Sequence, residues 1–165
     1  MDVISDCLSL IELQAQEAGI QISLIPFDPT WMVDVDRIRI KQILINLLSN
    51  AIKYNRKHGT VEVGCIAGST GRLRLCIKDT GVGLSAENLQ QLFQPFNRLG
   101  QENSTEEGSG IGLALTQRLV ELMGGSVHVT STVGVGSEFC VEMIRSDMPV
   151  QVERKSIQQE KNEMS

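Results

Sequence analysis

Aromatic side chains are scarce in this sequence, only 4% of its 165 residues. A core must therefore be assembled from Leu, Ile, Val and Met, in a chain long enough for one domain. A basic surplus is also missing: the formal charge is −5, which argues against nucleic acid as a partner. No apolar run approaches the roughly 18 residues of a membrane helix, and the first residues lack the pattern of a secretory signal. The four cysteines, Cys7, Cys65, Cys76 and Cys140, show neither CxxC spacing nor the pattern of a small disulfide scaffold. They read as reduced packing residues in a cytosolic protein. Histidine is limited to His58 and His128, with no ligand cluster around them, which excludes a histidine metal centre. What is left, 41% hydrophobic and 21% charged, is an ordinary globular composition.

What is present centres on one stretch, 36–54. Read as a helix, it places Ile40, Ile43, Leu44, Leu47, Leu48 and Ala51 on a broad apolar face. Asp36 stands where an N-cap belongs. Asn46, Asn50 and Lys53, spaced by four and three, share one side beside the apolar stripe. Such an edge suits a metal ion and phosphates, and it equally suits plain solvation.

Around that helix the periodicities predict an amphipathic helix over 3–17, with Ile4, Cys7, Leu8, Ile11 and Ala15 inward, and a strand over 20–25. A short extended piece follows at 31–35. A hairpin is expected over 60–66 and 72–78 around AGSTG. In its second strand Leu73, Leu75 and Ile77 face one side, and Asp79 ends on that same side. Ser85 caps a helix reaching about Phe93, with Leu84 and Leu89 spaced as a hydrophobic staple. A loop over 97–109 precedes a helix from Gly110, whose inward stripe reads Ile111, Leu115, Leu119, Val120 and Leu122. Strands over 126–131 and 137–144 close the domain. The predicted class is α+β: a two-layer α/β sandwich of a mixed, mostly antiparallel sheet with helices on one face. Residues 1–146 form the domain, and 147–165 read as a polar linker or disordered tail.

Glycine clusters at DTGVG (79–83), GSGIG (108–112) and 134–136. GSGIG opens a helix, where unpaired amides and the dipole make a phosphate site; by itself it fits a structural turn as well. In DTGVG a carboxylate at a strand end has the chemistry to accept a charge-assisted hydrogen bond from a purine amino group, and glycines there admit a flat ring. A capping Asp in a simple turn reads the same way.

Taken together, NLLSNAIKY, DTGVG, FQPFNR, GSGIGLAL and VGVGSEF, in that order, resemble the ATP-binding catalytic domain of the sensor histidine kinases. That family lies within the superfamily of gyrase, the Hsp90 chaperones and MutL, and the resemblance spans about 3–144. It implies a Bergerat-type ATP-binding fold with ATP and Mg²⁺ as cofactors. Asn50 would coordinate the metal with Asn46 in support, and Lys53 and Tyr54 would meet phosphates. Asp79 would bind the adenine amino group with help from Gly81 and Gly83. Phe93 and Phe96 would belong to the stretch that anchors a mobile ATP lid over about 97–109, and Arg98 would approach the γ-phosphate. Gly108, Gly110 and Gly112 would wrap the phosphates, with Leu113 beside the base. The third glycine place and Ser137 would frame the pocket as turn residues.

Hydrolytic relatives carry a Glu where this chain has Asn46, and an amide is no general base. The resemblance therefore implies a kinase branch that donates the γ-phosphate to a histidine elsewhere. Neither His58, in a polar turn, nor His128, mid-strand, has the helical setting beside an acid that a phosphoacceptor needs. The implied partners are a histidine-bearing dimerisation domain of the parent kinase and a downstream response regulator. Nucleic acid and direct membrane contact are not expected, and the isolated domain is expected to be a cytoplasmic monomer. Two alternatives stand beside this: a non-catalytic nucleotide-binding regulatory module, and a serine kinase of the related branch.

Overall fold

The computed structural model describes residues 2–94 and 112–147. Within them the elements are α1 (Asp2–Ala18), β1 (Gln21–Leu24), α2 (Arg37–Lys53), β2 (Thr60–Ala67), β3 (Arg72–Asp79), α3 (Ala86–Gln91), α4 (Gly112–Leu122), β4 (Ser126–Thr132) and β5 (Gly136–Ile144). The loop expected over 97–109 lies outside the described residues, as does the tail expected from 147 apart from Asp147 itself.

Asp36 starts α2 as its position requires, its Oδ1 accepting from the N–H groups of Ile38 (2.9 Å) and Arg39 (3.1 Å). The apolar face expected for this helix is buried, with Ile43, Leu44 and Leu48 at most 1% exposed. Each such side chain contributes about 1.5–3 kcal/mol by leaving water. Cys7, Ile11 and Ala15 of α1 pack into the same cluster, with Ile4 and Leu8 half-buried at its margin.

The sheet runs β1-β2-β3-β5-β4, with β1 parallel to β2 and all other neighbours antiparallel. The parallel step is made by α2 crossing between β1 and β2, as a parallel pair demands. Alternate residues of the central strands, Val61 and Val63, Leu75 and Ile77, Val141 and Met143, enter one core with the helices. This is the two-layer, mostly antiparallel sandwich expected. Near its lower end Val33 bridges Arg145, and Asp147 accepts from the Met32 N–H, so the fold reaches Asp147.

Two expectations need correction. In α4 the inward positions are Thr116 and Val120, both fully buried, while Leu115 and Leu122 are exposed. The stripe is displaced because a threonine holds its centre: the Asn46 Nδ2 donates to Thr116 Oγ1 at 3.4 Å, satisfying a hydroxyl that hydrophobicity alone would have sent outward. Ile111 lies outside the described residues.

The cysteines are the second correction. Cys76 and Cys140 form a disulfide between β3 and β5, where the register sets them directly opposite. They lie 64 residues apart, so spacing along the chain carried no sign of the pairing. Cys7 and Cys65 are free. Burial pushes the Cys7 thiol up, and that of Cys65 to about 11, which disfavours the nucleophilic thiolate in both.

Candidate nucleotide site

At the upper end of the core face, β3 delivers Asp79 into a cavity of about 180 Å³ between α2, α3, α4 and β5. Asp79 is there because the alternation that buries Leu73, Leu75 and Ile77 carries on by one more step. It is 7% exposed, on a strand paired on both sides. Its Oδ1 accepts two backbone hydrogen bonds, from Gly81 N–H at 2.8 Å and Ser137 N–H at 3.3 Å. Burial nonetheless pushes its pKa above the ordinary carboxylate value, and the two amides offset only part of that. The group is thus an acceptor held in one orientation, poorly solvated, with one oxygen uncommitted to those amides.

The glycines of DTGVG are needed for close approach. A Cβ on Gly81 would strike the Tyr54 carbonyl and come within 2.8 Å of Asp79 Oδ1. Gly83 has φ +72°, and a Cβ there would strike the Thr132 carbonyl. Backbone therefore packs on backbone where α2 ends, where β3 ends and where β4 turns. Gly112 is different: open space surrounds its Cβ position, so packing among the described residues does not require glycine there.

From α2, Asn50 and Tyr54 line the same cavity as Asp79, and Leu113 of α4 lines it with Phe139 and Leu92. Among the described residues the Asn50 carboxamide makes no hydrogen bond, so its oxygen is a donor atom ready for a cation. A neutral oxygen of this kind fits Mg²⁺, which keeps several waters and needs few protein ligands. Asn46, one turn earlier, does not line the cavity; its amide is turned to Thr116. Lys53 also lies outside the lining. It edges the neighbouring groove between the ends of α1 and α2, its Nζ 5.5 Å from the Tyr54 ring centroid. The structure thus brings Asn50, Tyr54, Asp79, Gly83 and Leu113 to one cavity, while Gly81 is outside its lining and acts on it through its hydrogen bond to Asp79. Phe96, Arg98, Gly108 and Gly110 lie outside the described residues.

Some features of the site were not anticipated. Ser137, expected to frame the pocket as a turn residue, also orients the carboxylate through its N–H. Asn88 and Leu92 enter the lining from α3 and the turn after it. Leu92 was detectable as an apolar residue three beyond Leu89; the Ser137 bond to Asp79 was not, because only strand register brings the two together.

His58 lies in the turn after α2 with φ 60°, and His128 is exposed in β4 with Nε2 3.0 Å from Ser126 Oγ. Neither is on a helix. Among the described residues no helix is long and apolar enough to cross a membrane.

Comparison with known proteins agrees with this fold. Residues 35–147 match the family described as histidine kinase-, DNA gyrase B- and HSP90-like ATPases. The chain is 36% identical over 147 residues to the sensor protein GacS of Pseudomonas syringae pv. syringae, covering 86% of this chain and 16% of that one. Among solved structures, full-length ShkA in complex with AMPPNP superposes with a TM-score of 0.76 at 31% identity, over 87% of this chain and 29% of that one. The mycobacterial sensor histidine kinase MprB shares the fold at TM-score 0.75 and 24% identity, over 89% of this chain and 96% of that one. The fold and the family match define an ATPase-type domain. The chain belongs to the histidine kinase-, DNA gyrase B- and HSP90-like ATPase family, as a catalytic ATP-binding domain of the sensor histidine kinase type. It spans 16% of GacS and 29% of ShkA, well under two thirds of either.

Proposed function

We propose that this domain binds Mg·ATP with the base against Asp79 and donates the γ-phosphate to a histidine on a separate dimerisation domain, within two-component signal transduction. The observation that carries the reading is Asp79: a buried carboxylate, aimed by two backbone amides, in a cavity that the Asn50 carboxamide also lines. A purine amino group would donate to Asp79, a bond to a charged acceptor worth about 1.5–3 kcal/mol. At about 180 Å³ the cavity is smaller than the roughly 300 Å³ at which whole-ligand pockets begin. It suits a ring alone, with ribose and phosphates leaving past Asn50.

Asn50 would hold Mg²⁺, which would neutralise charge on the phosphates. Tyr54 and Lys53, at the end of the same helix, would meet phosphate oxygens, and Leu113 would pack beside the base. Gly108, Gly110, Gly112 and Arg98 complete the proposed phosphate side, with Phe96 in the stretch that anchors the lid. Asn46 has no carboxylate to activate water, and its commitment to Thr116 supports a site that holds ATP rather than hydrolyses it. Transfer would then rest on positioning and charge neutralisation, with the nucleophile supplied from outside. A response regulator would receive the phosphate downstream. Cytoplasmic placement follows from where ATP is supplied.

The test has two arms. Calorimetry with ATP and Mg²⁺ on the unaltered chain and on Asp79→Asn should show binding in the first and at least a tenfold loss in the second. Mixing the chain with a histidine-bearing dimerisation domain and ATP should place acid-labile phosphate on that partner. Phosphate found only on serine, or none at all, would overturn the histidine assignment.

A further inference from the structure

The two ends of the cavity belong to segments distant in sequence, and one side chain ties them together. Arg56 stands in the turn after α2, two residues beyond Tyr54. Its Nε donates to the Thr80 carbonyl. Its Nη2 reaches the carbonyls of Gly81 (3.3 Å), Gly134 (2.8 Å) and Val135 (3.4 Å). Thr80 and Gly81 directly follow Asp79, and Gly81 supplies the nearer amide on its carboxylate. Gly134 and Val135 form the β4–β5 turn that leads to Ser137, which supplies the other amide. A single guanidinium therefore spans the end of the helix that carries Asn50 and both loops that aim Asp79.

The neighbouring contacts point the same way. Val82 N–H donates to the Tyr54 carbonyl at 3.3 Å, and Gly134 N–H donates to the Val82 carbonyl at 2.8 Å. Asn55 accepts from Thr80 Oγ1 at 3.2 Å, while Thr80 Oγ1 accepts from Thr60 N–H at 2.9 Å. These contacts join the segments in pairs. Arg56 is the one side chain in the set that reaches all of them, and the task needs a planar fork of donors, which an ammonium does not offer.

We propose that Arg56 is a positioning residue for the nucleotide site: its guanidinium clamps the loop after Asp79 and the β4–β5 turn to the end of α2, setting the base-binding carboxylate against the Asn50 wall. This rests on the nucleotide-binding reading above. Arg56 acts through main-chain carbonyls and does not itself touch the base. Loss of the clamp leaves the core intact, because none of its partners is a core side chain.

The experiment uses Arg56→Lys and Arg56→Ala in the full chain, with calorimetry for Mg·ATP, NMR titration for adenosine, and urea unfolding. Both variants should bind Mg·ATP at least fivefold more weakly, and adenosine weaker by a similar factor, with urea midpoints close to the unaltered chain. In nucleotide-free spectra the Gly81 and Ser137 amide signals should move in both variants. Millimolar guanidinium should restore part of the Arg56→Ala affinity where equal sodium chloride does not. Binding within twofold of the unaltered chain in both variants would overturn the clamp. So would full rescue by lysine with adenosine affinity unchanged, since that marks a simple phosphate-facing charge. If the unaltered chain itself failed to bind ATP, the nucleotide reading would fall and the clamp with it.

Discussion

The two faces of the sheet obey different rules. The helix-covered face is apolar from end to end until β3 reaches Asp79, and that one acid is where the candidate site forms. The other face is polar, with Arg74 opposite Glu142 and Lys78 opposite Glu138, yet it contains the Cys76–Cys140 bridge and a Glu142 that is only 6% exposed. Glu142 accepts from Arg74 at 2.6 Å and from Ser69 at 3.1 Å, and the Arg74 hydrogen bond holds its carboxyl below the ordinary range. On the covered face a buried acid has no cation beside it among the described residues and is costly; on the open face a buried acid is paired and comfortable. A carboxylate kept at a cost is the one available to a ligand.

The largest break in this contrast comes from the core itself. Leu44→Ala removes a side chain that is 1% exposed and should lower unfolding free energy by about 2–5 kcal/mol. Urea titration would show a lower midpoint at unchanged slope. Next is the open face: reducing the bridge, or replacing Cys76 and Cys140 together by serine, should cost about 2–4 kcal/mol, since it releases a loop of 64 residues in the unfolded chain. The check is unfolding with and without a thiol reductant, where identical curves would count against the bridge. Cellular reductants keep most cytosolic thiols free, so alkylation of the freshly released protein is the companion measurement.

Asp79→Asn sharpens the contrast by acting on function alone. Because burial raises the Asp79 pKa in the fold, its stabilising contribution is full below the unfolded carboxylate pKa and is lost as pH rises through the folded value. Ionised Asp79 is therefore a cost at neutral pH. The amide variant should unfold no earlier than the unaltered chain while losing ATP at least tenfold, about 1.4 kcal/mol. For the unaltered chain, ATP affinity should fall on acidification at a higher pH than an unshifted aspartate would give, and a flat calorimetric profile down to the ordinary carboxylate range would refute this. The smallest effect belongs to the helix start: Asp36→Ala should cost about 1 kcal/mol in the same urea assay by freeing the Ile38 and Arg39 amides.

Much of the covered face was legible beforehand. Period 3.6 located α2 and its inward residues, period 2 located β3, and extending that period by one step placed Asp79 inside. The stripe of α4 was misread because pattern matching ranks residues by hydrophobicity, and Thr116 is inside on the strength of a hydrogen bond from a helix 70 residues away. The bridge was misread for a similar reason: Cys76 and Cys140 become neighbours only through β3–β5 register. Of the candidate site, Asn50, Tyr54, Asp79 and Leu113 were legible through their motifs. Lys53 shows the limit of that method, since a shared helix edge did not bring it into the cavity lining.

Local information, carried by side-chain periodicity, caps and glycine-rich turns, was enough to specify the elements, the apolar face and the acid at its end, because each depends on residues a few positions apart. Register, the disulfide, the Thr116 contact and the Arg56 bonds to two separate loops depend on which strands and turns meet. Those meetings are made by burial, which does not discriminate among partners by distance along the chain, and so they appear only once the chain has packed.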